Sequence, residues 1–334
     1  MFPIRKSFAY FLVALLAFVV AAAVSSRAET CATSGEMDPA TKSTLQTTAE
    51  QYFRYVAQGN AQPLLQNSIS DIAGNPTALQ GVVAEHQKNL IGASATPRNT
   101  FLLTAEGNAP IANAEFNCGV FNSPARVGFS LQGLPPGRYG LVVLDVTGSR
   151  VPYFYSFLLL QQNGTWRMAG LFPRPRQLDG HDSQWYWQQA RDFKAKGQTH
   201  NAWFYYLIAR DLGFPVPFIS TPKIDGFNEE VQSSMPPDVP EQKPVTIAGA
   251  NGKQYQVTSL FVVPDDKGGL DLVVKYSSPD ISDTGRTFQE NKEVMKALLM
   301  RYPEYRQPFS NLVARAVAPS GQDYGSMLPV REVQ

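Results

Sequence analysis

The stretch RYGLVVLDVTGSRVPYFYSFLLLQQNGTWRMAGLF, residues 138–172, contains three apolar runs separated by turn residues. Residues 138–146 alternate and are apolar on both faces, and residues 151–161 are rich in aromatic side chains. The pair Asn163-Gly164 is typical of a tight hairpin turn, and residues 166–172 are predicted to form the antiparallel strand that follows it. We therefore predict a curved meander of antiparallel strands in this part of the chain.

Two helices are predicted before the meander. Asp38-Pro39 is typical of a helix start, with an acidic cap and a proline in the first turn, and Asn75-Pro76 starts a second helix. Apolar residues recur at helical spacing in both segments: Leu45, Ala49, Tyr52, Phe53 and Val56, and then Leu79, Val82, Val83, His86 and Leu90. Helices followed by a meander are typical of an α+β fold, here over residues 38–175.

The order helix, helix, strands, ending in QNGTWRMAGL at residues 162–171, resembles the NTF2-like (cystatin-like cone) superfamily. Many members end with a hairpin whose last strand carries a tryptophan just after a glycine turn, as Trp166 follows Gly164 here. The resemblance implies a strongly bent sheet that is wrapped around a helix and encloses a mostly apolar cavity. Because the superfamily includes isomerases, dehydratases, binding modules and structural extracytoplasmic domains, it indicates a fold more than an activity.

The first 28 residues have the pattern of a secretory signal. Arg5 and Lys6 precede an unbroken apolar run over residues 8–24, and Ser26 and Ala28 are small at the two positions that a signal peptidase recognises. We predict cleavage after Ala28 and export to the periplasm or the extracellular space. An uncleaved anchor is the alternative, because the run is close to the ~20 residues that span a bilayer. The protein would then stay membrane-tethered by residues 8–24.

The charge of the exported chain argues against a nucleic-acid partner. Cleavage after the signal leaves 26 basic and 28 acidic residues, a net charge of −2. A near-neutral chain without a basic run lacks the electrostatic footprint for nucleic acid. The sequence has no Gly-rich phosphate loop, and its three histidines and two cysteines form no metal-ligand pattern. We predict no cofactor and no metal.

The two cysteines, Cys31 and Cys118, form an even pair in a chain that is predicted to be exported. In an oxidising compartment such a pair favours a disulfide. The bond would tie the mature N-terminus to a strand region. Two unpaired thiols are the alternative.

Residues 179–228 are predicted to form a helical hairpin that turns at Gly197. The small and large residues match one tetratricopeptide (TPR) repeat, which the segment resembles: Ala190, Phe193, Ala202, Tyr206 and Ala209. The resemblance implies that Trp187, Arg191 and Lys194 lie on the face where such repeats hold a ligand, where the two cations could pair with a carboxylate. Inter-domain core is the alternative for this aromatic-rich hairpin.

The C-terminal part begins with a Pro-rich linker, predicted over residues 229–244. A small α+β domain of the order β-β-α-β is predicted over residues 245–319. Its helix is expected to begin at the capping box Thr287-x-x-Glu290. Residues 320–334 are predicted to form an extended tail.

Asp145 is the candidate catalytic residue. Alternation places it on one face of residues 138–146 with Tyr139, at the rim of the implied cone, where a carboxylate could act as a base. Tyr155 and Trp166 could line the same cavity. The alternative is a solvated carboxylate beside the turn at Gly148.

Three functions follow from these residues. The preferred hypothesis is an exported, non-catalytic interaction or ligand-binding protein of the cell envelope, with an envelope protein or a small apolar ligand as partner. The first alternative is an isomerase or dehydratase that acts on a small apolar substrate through Asp145. The second is glycan binding by the Trp-rich hairpin. Membrane contact is predicted only through an uncleaved N-terminal segment.

The signal prediction is tested by N-terminal sequencing of the exported protein. We expect the sequence to start at Glu29, because Ala28 supplies the small residue that the peptidase requires. An exported protein that still begins with Met1 would contradict cleavage and favour the anchor.

Overall fold

The computed structural model describes residues 29–334, apart from residues 120–123, 241–242, 251 and 266. The predicted signal segment, residues 1–28, lies outside the described residues. Helices and mostly antiparallel sheets are mixed along the chain, which confirms the predicted α+β class. Within the described ranges, every helix is too short or too polar to span a bilayer.

The first sheet has five antiparallel strands in the order β1-β2-β5-β6-β7. They are β1 (Thr30–Thr33), β2 (Ser94–Ala105), β5 (Gly137–Thr147), β6 (Tyr153–Gln162) and β7 (Thr165–Pro175). The predicted meander is the run β5 to β7. Its last turn is at Asn163 and Gly164, both of which have positive φ, as the Asn-Gly pair predicts.

Four helices cover one face of this sheet. They are α1 (Pro39–Ala57), α2 (Ala61–Gln66), α3 (Ser70–Ala73) and α4 (Pro76–Gln87). The carboxylate of Asp38 caps α1 by accepting from the Thr41 amide at 2.9 Å. Helix α1 lies so close to β5 that a β carbon at Gly140 would overlap the Leu45 side chain, which explains the glycine in this strand.

A second, three-stranded sheet covers the other face. It has the order β10-β4-β3 and consists of β3 (Ile111–Cys118), β4 (Val127–Leu134) and β10 (Ile219–Ser220). The two layers share an apolar core that includes Phe101, Leu103, Phe116, Phe129 and Leu141. Cys31 and Cys118 form the predicted disulfide, with their α carbons 5.1 Å apart, and so join β1 of the first sheet to β3 of the second.

The predicted helical hairpin consists of α5 (Ser183–Ala195) and α6 (Thr199–Gly213). Two short strands, β8 (Gln177–Leu178) and β9 (His181–Asp182), precede it, and Gly197 supplies the turn with φ +74°. A further helix, α7 (Pro222–Gln232), crosses the boundary that the sequence predicted between the hairpin and the linker. The Thr221 hydroxyl caps α7 by accepting from the Ile224 amide at 3.1 Å.

The C-terminal sheet has five strands in the order β11-β12-β13-β14-β15. They are β11 (Val245–Ala248), β12 (Gln254–Pro264), β13 (Leu270–Ser277), β14 (Asn311–Val317) and β15 (Asp323–Pro329), and helix α8 (Thr284–Arg301) connects the parallel pair β13 and β14. Residues 320–334, predicted as a tail, contribute the edge strand β15. Helix α8 begins one turn earlier than predicted because Asp283 is its cap, accepting from the Arg286 amide at 2.9 Å.

The hairpin, α7 and the C-terminal sheet share one apolar core. Residues predicted as a linker are part of it: Val239 is buried there, and Asp238 accepts hydrogen bonds from His200 at 2.7 Å and from Tyr302 at 2.8 Å. Residues 233–240 therefore pack on the body. The segment runs through turns and bends and is not the free linker that its prolines predicted.

The disulfide is tested by replacing both cysteines with alanine. The bond closes a loop with a sequence separation of 87 residues, so its loss should lower the free energy of unfolding by about 4.6 kcal/mol in the chain-entropy model. Urea unfolding measures the loss, and the reduced wild-type protein, as the control, should match the double variant. An unchanged urea midpoint in both samples would contradict the bond.

Candidate ligand-binding cleft

A cleft of about 370 Å³ opens where the first sheet meets α5, the end of α6 and the start of α7. Four aromatic side chains line it: Phe154 from β6, Trp187 from α5, Phe214 after α6 and Phe227 from α7. Its other lining residues include Arg176, Asp182, Ser183, Gln184, Thr221, Lys223 and Ile224. A concave, aromatic-rich site with a few polar groups is the usual form of a small-molecule site.

The aromatic walls are held in place by the chain itself. The Trp187 indole nitrogen donates to Glu230 at 3.0 Å, which fixes the ring. The Phe227 ring packs edge-on against Trp187 and Phe214, with ring centroids 5.0 and 5.5 Å apart. Since edge-to-face packing and a charged hydrogen bond both oppose rotation of these rings, the cleft is preformed.

The rim of the cleft carries charged groups. The Arg176 guanidinium lies over the Phe154 ring, 4.7 Å from its centroid, and one of its nitrogens is 3.2 Å from Asp145. Lys223 is exposed in the first turn of α7. Asp182 caps α5 by accepting from the Trp185 amide at 3.0 Å.

Asp145, the candidate base, lies near the end of β5 between two arginines. Arg98 contacts one carboxylate oxygen at 3.0 Å, and Arg176 contacts the other at 3.2 Å. Both guanidinium groups also lie over Phe154. The carboxylate thus orients Arg176 beside the cleft and is held on both of its oxygens by cations.

The structure does not bring the other candidate pocket residues together around Asp145. Tyr155 and Trp166 are buried in the core between the first sheet and helices α1 to α4. Tyr139 lies on the opposite face of the sheet, where its hydroxyl donates to the Pro135 carbonyl at 2.7 Å. The reason is the strand register: odd-numbered residues of β5 and odd-numbered residues of β6 lie on opposite faces.

Two polar groups lie unpaired in that helix-side core. The rings of His86 and Tyr155 are 5.8 Å apart, and within the described part of the chain neither His86 Nδ1 nor the Tyr155 hydroxyl has a hydrogen-bond partner. Burial lowers the pKa of His86 and raises that of Tyr155, so both groups are neutral near pH 7. The adjacent apolar pocket, of about 270 Å³ between α3, α4 and β7, is lined by neither of them.

The predicted ligand face of the hairpin is occupied by α7. Arg191 donates to both oxygens of Glu230, at 2.8 and 2.7 Å, and the Tyr206 hydroxyl donates to the same carboxylate at 2.6 Å. Lys194 donates to Ser234 at 2.7 Å. Trp187, Arg191 and Lys194 therefore do lie on one face, and the carboxylate that pairs with Arg191 belongs to this chain. Only Trp187 also lines the cleft.

Comparison of the chain with protein-family models, with curated proteins and with solved structures finds no match. Among the residues with described positions, no group of three or more His, Cys, Asp or Glu side chains could hold a metal ion. Phe154, Arg176, Phe214 and Lys223 line the cleft but were not predicted as site residues from the sequence. The sequence signal for α7 is Thr221-Pro222, a helix-start pair of the same kind as Asp38-Pro39.

The Glu230 contacts predict a pH-dependent contribution to stability. The hydrogen bonds from Arg191 are the largest cause that lowers the pKa of Glu230, from 4.5 to about 2. A lowered folded-state pKa contributes stability that is present above pH 4.5 and is lost as the pH falls toward 2. Glu230→Gln should therefore lower the free energy of unfolding by about 1–3 kcal/mol at pH 7.

Urea unfolding between pH 7 and pH 2.5 measures this difference. The gap between wild type and Glu230→Gln should shrink as the pH falls through 4.5. Glu229→Gln, an exposed neighbour on the same helix, is the matched control and should stay close to wild type. Equal destabilisation by both substitutions would show that the Glu230 contacts contribute nothing specific.

Proposed function

We propose that this chain is an exported, non-catalytic binding protein of the cell envelope, and that the aromatic cleft is its ligand site. The observation that carries the proposal is a cavity of about 370 Å³ whose lining includes four aromatic side chains, three of which are held by contacts within the chain. Aromatic walls provide a large apolar contact at a low cost in side-chain entropy, because each ring turns about only two bonds. The rings are already fixed before a ligand arrives, which lowers that cost further.

Export is supported by the Cys31–Cys118 disulfide, because such bonds persist in oxidising compartments. An NTF2-like first unit is supported by its layers, in which four helices pack on one face of a five-stranded antiparallel sheet. A TPR-like hairpin is supported by the buried small residues Ala190, Ala202 and Ala209 where α5 meets α6. Both resemblances are part of the proposal, because they describe the two units between which the cleft lies.

Binding is favoured over the other two hypotheses by contacts of the candidate residues. Asp145 has a guanidinium group on each of its oxygens, an arrangement that suits an orienting carboxylate better than a base. The other tryptophans of the hairpin are engaged within the protein: Trp185 stacks on His181 with ring centroids 3.8 Å apart, and Trp203 is buried. Trp187 is the one that faces the cleft.

The proposal is tested with N-phenyl-1-naphthylamine, a neutral apolar probe that fluoresces when it leaves water. Wild-type protein should bind the probe, and Phe214→Ala should weaken binding about tenfold, which corresponds to the ~1.4 kcal/mol expected for part of one aromatic wall. Phe261→Ala, on the outer face of the C-terminal sheet, is the matched control and should leave binding unchanged. Equal binding by both variants, or none by the wild type, would overturn the cleft as the site.

A further inference from the structure

We infer that the ligand of this cleft is an organic carboxylate with a flat apolar body of one or two rings. The inference rests on the proposed function, since it names the class of ligand for the same cleft. It is carried by the combination of aromatic walls with a rim whose charge is net positive.

The charged side chains that line the cleft are Arg176 and Lys223 against Asp182, which gives one net positive charge. Asp145 does not reverse this balance, because Arg98 also pairs with it. Among the described residues, the Lys223 side chain makes no hydrogen bond or ion pair, and the Arg176 side chain contacts one oxygen of Asp145. A guanidinium group has five N–H donors, so Arg176 keeps donors for a ligand.

The helix ends add to the positive field. Helices α5 and α7 both begin at the cleft, and a helix start carries roughly half a positive charge. One amide in the first turn of each helix is already satisfied, because Asp182 accepts from Trp185 and Thr221 accepts from Ile224. The helix ends contribute a positive field, and the Asp182 carboxylate offsets that of α5. The carboxylate of the ligand is therefore expected to bind at the side of the cleft that carries Arg176 and Lys223.

The walls and the volume limit the rest of the ligand. Trp187 and Phe214 are partly exposed and offer ring surfaces that suit a planar body, while Phe154 and Phe227 line the cleft with little exposed area. A volume of about 370 Å³ is near the lower end of small-molecule sites, which favours a compact ligand over a long acyl chain. A second groove, lined by Lys267, Arg306 and Arg331, is cationic too, but Phe309 is its single aromatic residue. That groove provides a control for nonspecific anion binding.

The test compares three probes with one body and different head groups: 2-naphthoate, 2-naphthalenemethanol and 2-naphthylmethylamine. Calorimetric titration of the disulfide-bonded mature protein at pH 7 should give the tightest binding for the carboxylate, weaker binding for the alcohol and the weakest for the amine. The affinity for the carboxylate should fall between 20 and 500 mM salt, while that for the alcohol should not, since salt screens exposed charges.

Substitutions test whether the charged residues at the rim of the cleft cause the preference for the carboxylate. Lys223→Gln should weaken 2-naphthoate binding about fivefold, the effect of losing one exposed ion pair of ~1 kcal/mol, and should leave 2-naphthalenemethanol binding unchanged. Lys223→Glu should weaken 2-naphthoate binding further, because it adds a like charge. Lys267→Gln, in the other cationic groove, should change neither affinity.

The outcomes separate the two proposals. Equal affinity for the three probes, tighter binding of the amine, or an equal effect of Lys223→Gln on all three would overturn the carboxylate inference and leave the cleft as a binding site. Weakening of 2-naphthoate by Lys267→Gln and not by Lys223→Gln would place the anion in the other groove and overturn it as well. No binding of any probe would overturn both proposals.

Discussion

Helix α6 is buried around most of its circumference, and the arrangement of the C-terminal half of the chain depends on this constraint. Nine of its residues are buried: Asn201, Ala202, Trp203, Phe204, Tyr205, Tyr206, Ile208, Ala209 and Leu212. An isolated two-helix hairpin cannot cover a helix that is apolar all round, so other elements must do so. Helices α5 and α7, strand β7 and the 3-10 turn Pro303–Arg306 all contact α6. The cleft lies where the elements around α6 meet the first sheet.

Helix α7 has two roles in this arrangement. Its Glu230 accepts from Arg191, Tyr206 and Trp187, and so attaches α7 to both helices of the hairpin. One turn earlier, its Phe227 packs edge-on against Trp187 and forms a wall of the cleft. The face that the sequence assigned to an external ligand is thus filled from within the chain. The ligand site that results lies beside that face, with Trp187 common to both.

Local signals in the sequence predict the regular elements well. Asp38-Pro39 and Asn163-Gly164 mark a helix start and a hairpin turn that the structure shows at those residues. The Cys31–Cys118 bond followed from an even pair of cysteines in an exported chain. These features depend on neighbouring residues or on composition, so no long-range contact was needed to predict them.

The candidate site could not be predicted, because its contacts join distant parts of the chain. Asp145 meets Arg98 and Arg176, which lie 47 and 31 residues away, and the sequence has many other arginines. A carboxylate partner for Arg191 was predicted, but nothing in the sequence distinguishes Glu230, which lies 39 residues away, from the other acidic residues. Alternation within a strand shows which residues share a face of that strand. Only the pairing of β5 with β6 shows that Tyr139 and Tyr155 lie on opposite faces of the sheet.

Hydrogen–deuterium exchange of the mature protein, with and without 2-naphthoate, shows where on the chain the ligand binds. Binding in the cleft should slow exchange at residues 182–187 and 221–227, the starts of α5 and α7, and should leave exchange unchanged at residues 72–82, which line the apolar pocket of the first unit. Slower exchange at residues 72–82 with none at the starts of α5 and α7 would contradict it.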